Sequence, residues 1–238
     1  MLGLGIGIPL GATIIDKSPL NIGDSLALWL QNGVGLATGK WEDSSGNGND
    51  AVQGGAANCA TVTSDGGLDF EETQSDHYDL DSTITVANDS AFCLAIVLNQ
   101  ETATNNTILS KTGNEVISIK DAQTIEFKTN GDGNVTSELV VPNATFTAGQ
   151  KLLIVLNKDR NGAFSIFQNG SAVTIDTDNS TNHTEGDNHG GFTLDVLGAN
   201  AGSSNFFDGK ILDLAFWNGD LTTTEIADVN SFFTSYHG

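Results

Sequence analysis

Positive charge is the scarcest property of this sequence: nine Lys and Arg stand against thirty Asp and Glu in 238 residues, a net charge of −21 at pH 7. No basic stretch is present that could neutralise a phosphate backbone or adhere to an anionic bilayer, so nucleic acid and membrane surfaces are excluded as partners. Cysteine is equally short. Cys59 and Cys93 are too few for a disulfide framework or a four-ligand thiolate zinc site. One bridge is the most they can form. Cys93 lies inside the apolar run F-C-L-A-I-V-L, where a free thiol behaves as a small hydrophobe, and neither cysteine has a basic sequence neighbour to activate it. Catalytic signatures are missing too, since no Gly-x-Ser-x-Gly elbow, His-Glu-x-x-His helix or phosphate loop occurs.

A membrane span is also lacking. The first fifteen residues, M-L-G-L-G-I-G-I-P-L-G-A-T-I-I, are uncharged, yet they are too few and too glycine-rich to cross a bilayer as a helix. The first basic residue, Lys17, follows this run rather than preceding it as in a signal peptide. The pattern alternates strictly: Leu2, Leu4, Ile6 and Ile8 fall on one face of an extended strand, with Gly3, Gly5 and Gly7 on the other. Residues 1–23 are therefore expected to form an apolar arm that docks on other structural proteins or on a second copy. The alternative is that it completes a sheet of its own domain, residues 24–238.

Within that domain only 16% of the whole chain's residues are available as charge, 38% are hydrophobic and glycine numbers 28, a composition that favours a turn-rich β protein over disorder. Short strand-like runs recur between Gly/Asn/Asp/Ser clusters, among them S-L-A-L-W-L, S-A-F-C-L-A-I-V-L, T-I-E-F-K-T, K-L-L-I-V-L, A-F-S-I-F-Q and K-I-L-D-L-A-F-W. The expected fold is all-β, a two-sheet antiparallel sandwich of jelly-roll type. In T-I-E-F-K-T, Ile125 and Phe127 share one face and Glu126 and Lys128 the other. K-L-L-I-V-L does not alternate and belongs centrally, covered on both sides. Asn161-Gly162 and Asn169-Gly170 flank A-F-S-I-F-Q as hairpin turns, which makes three consecutive antiparallel strands. One short C-terminal amphipathic helix is expected, with Thr222 and Glu225 at capping-box spacing and Ile226, Val229 and Phe233 on its apolar face.

The stretch from Thr174 to Gly191 reads as a long exposed loop. Its Asp176, Asp178 and Asp187 are candidate ligands for a hard cation such as calcium, and a solvated acidic loop is the alternative. His183 and His189 lie in the same loop. Asn130-Gly131-Asp132-Gly133-Asn134 imitates the start of an EF-hand but has Val135 and Val141 at the positions of the invariant Gly and the bidentate Glu, so it reads as a hairpin turn. Glu71-Glu72 falls on a turn, and Glu115, Glu126 and Glu138 fall on different strands, which leaves no evident glycosidase pair.

Four segments, in order, resemble the laminin-G-like branch of the concanavalin A-like lectin/glucanase jelly rolls. They are L-A-L-W-L with the turn carrying Trp41, Asp43, Ser45, Gly46, Asn47 and Asn49; G-L-D-F with D-H-Y-D-L; the strand ending F-S-I-F-Q-N-G; and F-F-D-G-K-I-L-D-L-A-F-W-N-G-D-L-T-T-T-E-I. The resemblance covers about residues 25 to 238 and implies two stacked antiparallel sheets. Two departures stand out: Leu212 occupies the position where many relatives have a calcium-ligating Asp, and the Glu-x-Asp-x-x-Glu strand of the glucanases is missing, so no catalysis is expected.

Glycan recognition combines an aromatic platform with Asn, Asp and Gly groups that bind hydroxyls. Trp41 beside Asp43, Asn47 and Asn49, and Tyr78 beside His77, fit that description, although the resemblance, in which this turn recurs in domains of differing ligand, points to a structural role for it. The glycine-alternating start resembles those of phage structural proteins, which implies a surface module of a viral particle, adhesive to cell-surface glycans. A stand-alone extracellular carbohydrate-binding module is the second expectation, and a glucanase the third.

Overall fold

The structure of the protein, a computed structural model, describes residues 17–87, 90–112, 114–128, 136–142, 145–178 and 191–237. In chain order the strands are β1 (Leu26–Leu30), β2 (Leu36–Ala37), β3 (Lys40–Trp41), β4 (Ala51–Val52), β5 (Thr61–Val62) and β6 (Leu68–Phe70). Then come β7 (Tyr78–Val86), β8 (Phe92–Gln100), β9 (Asn106–Thr112), β10 (Glu115–Asp121), β11 (Thr124–Lys128) and β12 (Thr136–Val140). The last are β13 (Leu152–Lys158), β14 (Phe164–Gln168), β15 (Ser171–Val173), β16 (Thr177–Asp178), β17 (Phe192–Leu197) and β18 (Gly209–Trp217), followed by helix α1 (Thr223–His237).

Two sheets result. One runs β15-β14-β13-β8-β18-β6-β5, with β1 paired to β18, and the other runs β16-β12-β11-β10-β9-β17-β7-β4-β3-β2. β1 lies along Leu214–Trp217 while β6 lies along Gly209–Ile211, so both share one side of β18. The pairings are antiparallel, as the runs and turns require. Asn169 and Gly170 both take positive φ, 49° and 79°, the geometry in which a two-residue turn matches strand twist, and β13, β14 and β15 are consecutive as expected.

The core between the sheets takes alternate residues: Phe92, Leu94, Ile96 and Leu98 from β8, and Leu152, Ile154 and Leu156 from β13. Phe92 crosses the gap, meeting Phe192 edge-on at 5.5 Å and Phe127 at 5.1 Å, contacts that add to simple area burial. The other face of the first sheet is also apolar, which explains why these runs do not alternate. There Cys93, Ala95, Val97, Leu153, Val155 and Trp217 pack against Ile226, Val229 and Phe233 of α1, each large side chain contributing about 1.5–3 kcal/mol on burial. The helix starts with the expected box: Thr222 N donates to Glu225 Oε2 at 2.7 Å and Glu225 N donates to Thr222 Oγ1 at 3.3 Å. Both thiols are free.

Among the described residues before Asp24, Ser18, Pro19 and Ile22 are buried, Ile22 beneath α1, where its carbonyl accepts from Trp217 Nε1 at 2.7 Å. Leu2, Leu4, Ile6 and Ile8 lie outside the described residues. The acidic loop is shorter than Thr174–Gly191, because Thr177 and Asp178 form β16 on β12; backbone pairing with Leu139 and Val140 outweighs their turn-forming composition. Among the described residues, no helix is long and apolar enough to cross a membrane.

Candidate functional site

The turn after β3 is built on Asp43. Its Oδ1 accepts from Trp29 N at 2.9 Å and Ser45 N at 2.8 Å, while Oδ2 accepts from Ser45 Oγ at 2.7 Å and Asn49 N at 3.0 Å. Asn47 Nδ2 donates to Leu26 O at 2.8 Å and Asn49 Nδ2 to Ala27 O at 2.7 Å. Gly46 and Gly48 hold φ of 87° and 73°, which only glycine adopts without strain and which brings these amides back onto β1. Trp41 is fully buried, its Nε1 donating to Gln31 O at 3.0 Å. Asp50 accepts from Asp43 N at 2.8 Å and pairs with Lys40 Nζ at 2.9 Å; the Asp43 amide and then the Lys40 ammonium hold its carboxyl below the usual range. The whole turn is a brace that fixes the central edge strand β1.

Tyr78 is likewise fully buried, its phenol pushed up to about 12 by burial. Neither Trp41 nor Tyr78 therefore presents a ring to a ligand. Asn47 and Asn49 do line a cavity of about 440 Å³ with Ser25, Thr83, Thr85 and Asn218, a polar crevice with no ring among its lining residues.

His77 is different. Half-buried, it faces the half-buried Phe206 with ring centroids 6.1 Å apart and planes at 46°. Its backbone is held on both sides, N donating to Asn58 O at 3.3 Å and O accepting from Gln53 Nε2 at 2.7 Å. His77 Nδ1 donates to Ser75 O at 2.9 Å, since the carbonyl can only accept. Phe206 is carried by the loop from Gly198 to Phe207. That loop is closed by Phe207 N donating to Gly198 O at 2.7 Å and tied down by Ser110 Oγ donating to Ala199 O at 2.6 Å. Ser75, Ala201 and Asn205 around it are all left-handed, with φ of 61°, 52° and 45°, a conformation that costs a non-glycine residue about 1 kcal/mol or more and clusters at functional sites. Gly202 is packed so that a Cβ would lie 3.3 Å from His77 Nε2.

Carboxylates lie on the same segments, Asp76 next to His77 and Asp208 two residues after Phe206. Asp69 and Asn99 flank Lys210 in register on β6, β18 and β8. One step further out, burial and then the neighbouring Glu101, Asp69, Asp208 and Asp76 raise the pKa of Glu71. Asp76 is buried and raised chiefly by desolvation; its Oδ2 accepts from Glu71 N at 2.9 Å while Oδ1 has no hydrogen-bond partner. Asn200 Oδ1 is also buried without one.

The other acids are engaged in structure. Glu115 Oε1 accepts from Thr193 N and Oγ1 at 2.9 and 2.8 Å, Glu126 pairs with Lys128 at 2.9 Å and Glu138 with Lys120. Leu212 is buried under α1, and Asp213 beside it binds Trp29, Asn32 and His237. Of the candidate cation ligands, Asp176 and Asp178 sit at the edge of the second sheet, whereas Asp187 lies outside the described residues, with His183, His189 and 130–134. Among the described residues no three His, Cys, Asp or Glu side chains converge on a metal position. Sequence reasoning missed Phe206, because F-F-D-G reads as the entry to a closing strand.

The family model described as concanavalin A-like lectin/glucanases superfamily matches residues 72–227. No curated protein matches. The fold is similar to that of the binding domain of Paraclostridial Mosquitocidal Protein 1, at 14% identity and a TM-score of 0.61, covering 90% of this chain and 52% of that one. It is similar to the botulinum neurotoxin type G receptor binding domain, at 14% identity and 0.58, covering 88% and 51%. A third likeness, at 18% identity and 0.54, covers 87% of this chain and 98% of domain 4 of AbnA, a GH43 extracellular arabinanase from Geobacillus stearothermophilus, in complex with arabinotriose. The chain thus spans about half the length of the two toxin domains and nearly all of the arabinanase domain. By its sandwich and by the match over residues 72–227, the chain belongs to the concanavalin A-like lectin/glucanases superfamily.

Proposed function

We propose that the protein is a non-enzymatic glycan-binding module whose ligand lies against Phe206 and His77. The observation that carries this reading is that half-exposed ring pair on a loop rim of left-handed, amide-rich backbone, since sugars are bound by aromatic faces framed by hydrogen-bonding groups. His77 alone of the six residues read from the sequence stands at the ligand; Trp41, Asp43, Asn47, Asn49 and Tyr78 act through the fold. The arabinanase domain solved with arabinotriose supports the reading by analogy of fold. Catalysis gains no support, because Glu115, Glu126 and Glu138 are each held by structural partners. The test is a glycan array followed by calorimetry on the best hit. Phe206→Ala is expected to weaken binding by about 0.5–1.5 kcal/mol, the worth of a lost aromatic contact, without changing Tm; undiminished binding overturns the site.

In the same reading the module is displayed on a viral particle, extracellular presentation being the alternative, with Leu2, Leu4, Ile6 and Ile8 docking on other structural proteins or a second copy. In support, the root of the arm is anchored to α1: Lys17 Nζ meets Asp228 Oδ1 at 2.5 Å. Deleting residues 1–16 is expected to leave Tm unchanged and abolish assembly. A deletion reaching Ile22 would remove the acceptor of Trp217 and is the wrong cut.

A further inference from the structure

We infer that the Phe206–His77 rim selects neutral glycans and rejects sialylated, uronate-bearing and sulfated ones, an inference that rests on the glycan-binding reading above. Recognition of an acidic sugar calls for Arg or Lys at the site to meet its carboxylate or sulfate. Five carboxylates lie on the segments that carry the pair: Asp76 precedes His77 and its Oδ2 accepts from Glu71 N at 2.9 Å, Asp208 lies two residues after Phe206 and its carbonyl accepts from Glu101 N at 2.8 Å, and Asp69 is in register with Lys210. The one Lys on these segments, Lys210, is electrostatically coupled to Asp69.

Every other Lys and Arg of the chain is engaged elsewhere. Lys17 pairs with Asp228, Lys40 with Asp50, Lys111 with Asp195, Lys120 with Glu138, Lys128 with Glu126 and Arg160 with Asp220. Lys151 donates to His237 O and Lys158 to Ser90 O. None is left to turn toward the rim without breaking a contact.

Sugar hydroxyls can donate to carboxylates, whereas an anionic sugar would bring further acceptors and like charge to them.

The experiment uses the full chain on neutral polymers (arabinan, galactan, mannan, laminarin) and on acidic probes (polygalacturonate, 3′-sialyllactose, heparin) at about 0.05 and 0.5 M salt, which bracket strong and weak screening. Saturable binding confined to neutral probes, little changed by salt and lost in His77→Ala and Phe206→Ala, is the expected result. The variant Glu71→Gln/Glu101→Gln/Asp208→Asn is expected to raise affinity for the acidic probes about tenfold, most at low salt, and an unchanged acidic affinity in the folded variant overturns the inference. The salt series on the native chain decides the matter even if that variant does not fold. Acidic probes bound as tightly as neutral ones overturn the inference and leave the glycan-binding reading standing; silence on both sets overturns that reading and the inference with it.

Discussion

Asp213 Oδ2 and His237 Nε2 meet at 3.0 Å beneath the last turn of α1, joining the closing strand to the C-terminal helix. Trp29 Nε1 donates to Oδ1 at 3.0 Å and Asn32 N donates to Oδ2 at 3.4 Å. Burial pushes the Asp213 carboxyl up while His237 and the other donors pull it back. A bulge between Ile211 and Asp213 makes the meeting possible, because the extra residue turns both Leu212 and Asp213 to the α1 side. Protein donors thus surround the acid next to the position where the resemblance leads one to expect a cation ligand.

Asp213→Ala is expected to cost about 3–5 kcal/mol, as when one member of a buried charged pair is removed and its partners are left unsatisfied. Urea unfolding followed by tryptophan emission measures it, Trp29 reporting directly. A variant as stable as the native protein would show that this network does not hold α1 in place.

Asp50 supplies a pH dependence. Its folded carboxyl lies below the ordinary value, through the Asp43 amide first and Lys40 second, so its contribution is present above that ordinary value and fades as pH falls through the depressed one. Asp50→Asn should therefore be less stable by about 1 kcal/mol at pH 7, the upper range for a partly exposed ion pair such as Lys40–Asp50. The difference should shrink as pH falls through the depressed value, since the protonated carboxyl and the amide are both neutral.

The two thiols should separate kinetically. Cys93 is fully buried and its pKa is raised by desolvation, whereas Cys59 is partly exposed. A thiol-reactive chromogen should label one equivalent in the native protein and two after denaturation, since only an accessible thiolate reacts. Two fast equivalents would contradict the packing of β8 under α1.

Gly67→Ala tests the junction of β6 and β18. A Cβ there would lie 2.3 Å from Ile211 O and 2.8 Å from Leu212 Cα, both backbone. Overpacking against atoms that cannot rotate away should cost about 2–3 kcal/mol, read as a lower urea midpoint. An unchanged midpoint would place these strands further apart than described.

Local chemistry was legible in the sequence. The strand runs, the Asn-Gly hairpins around β14 and the Thr222–Glu225 box depend on residues one to four positions apart, so their spacing alone specifies them. β7 escaped because Asp79, Asp81, Ser82, Thr83 and Thr85 on its outer face make Y-D-L-D-S-T-I-T-V look polar, although Tyr78, Leu80, Ile84 and Val86 are buried. The family-like turn was legible, and so was a structural role for it, but not the partners, because Asn47 and Asn49 act on Leu26 and Ala27, more than twenty residues back. Likewise only the fold joins Trp29 to Asp213 across 184 positions, and only the fold decides which rings are seen by solvent: Trp41 and Tyr78 turn into the core, while His77 and Phe206, on segments far apart in the chain, meet at its rim. Exposure and partnership at such distances are set by how the sheets stack, which alternation along one strand does not encode.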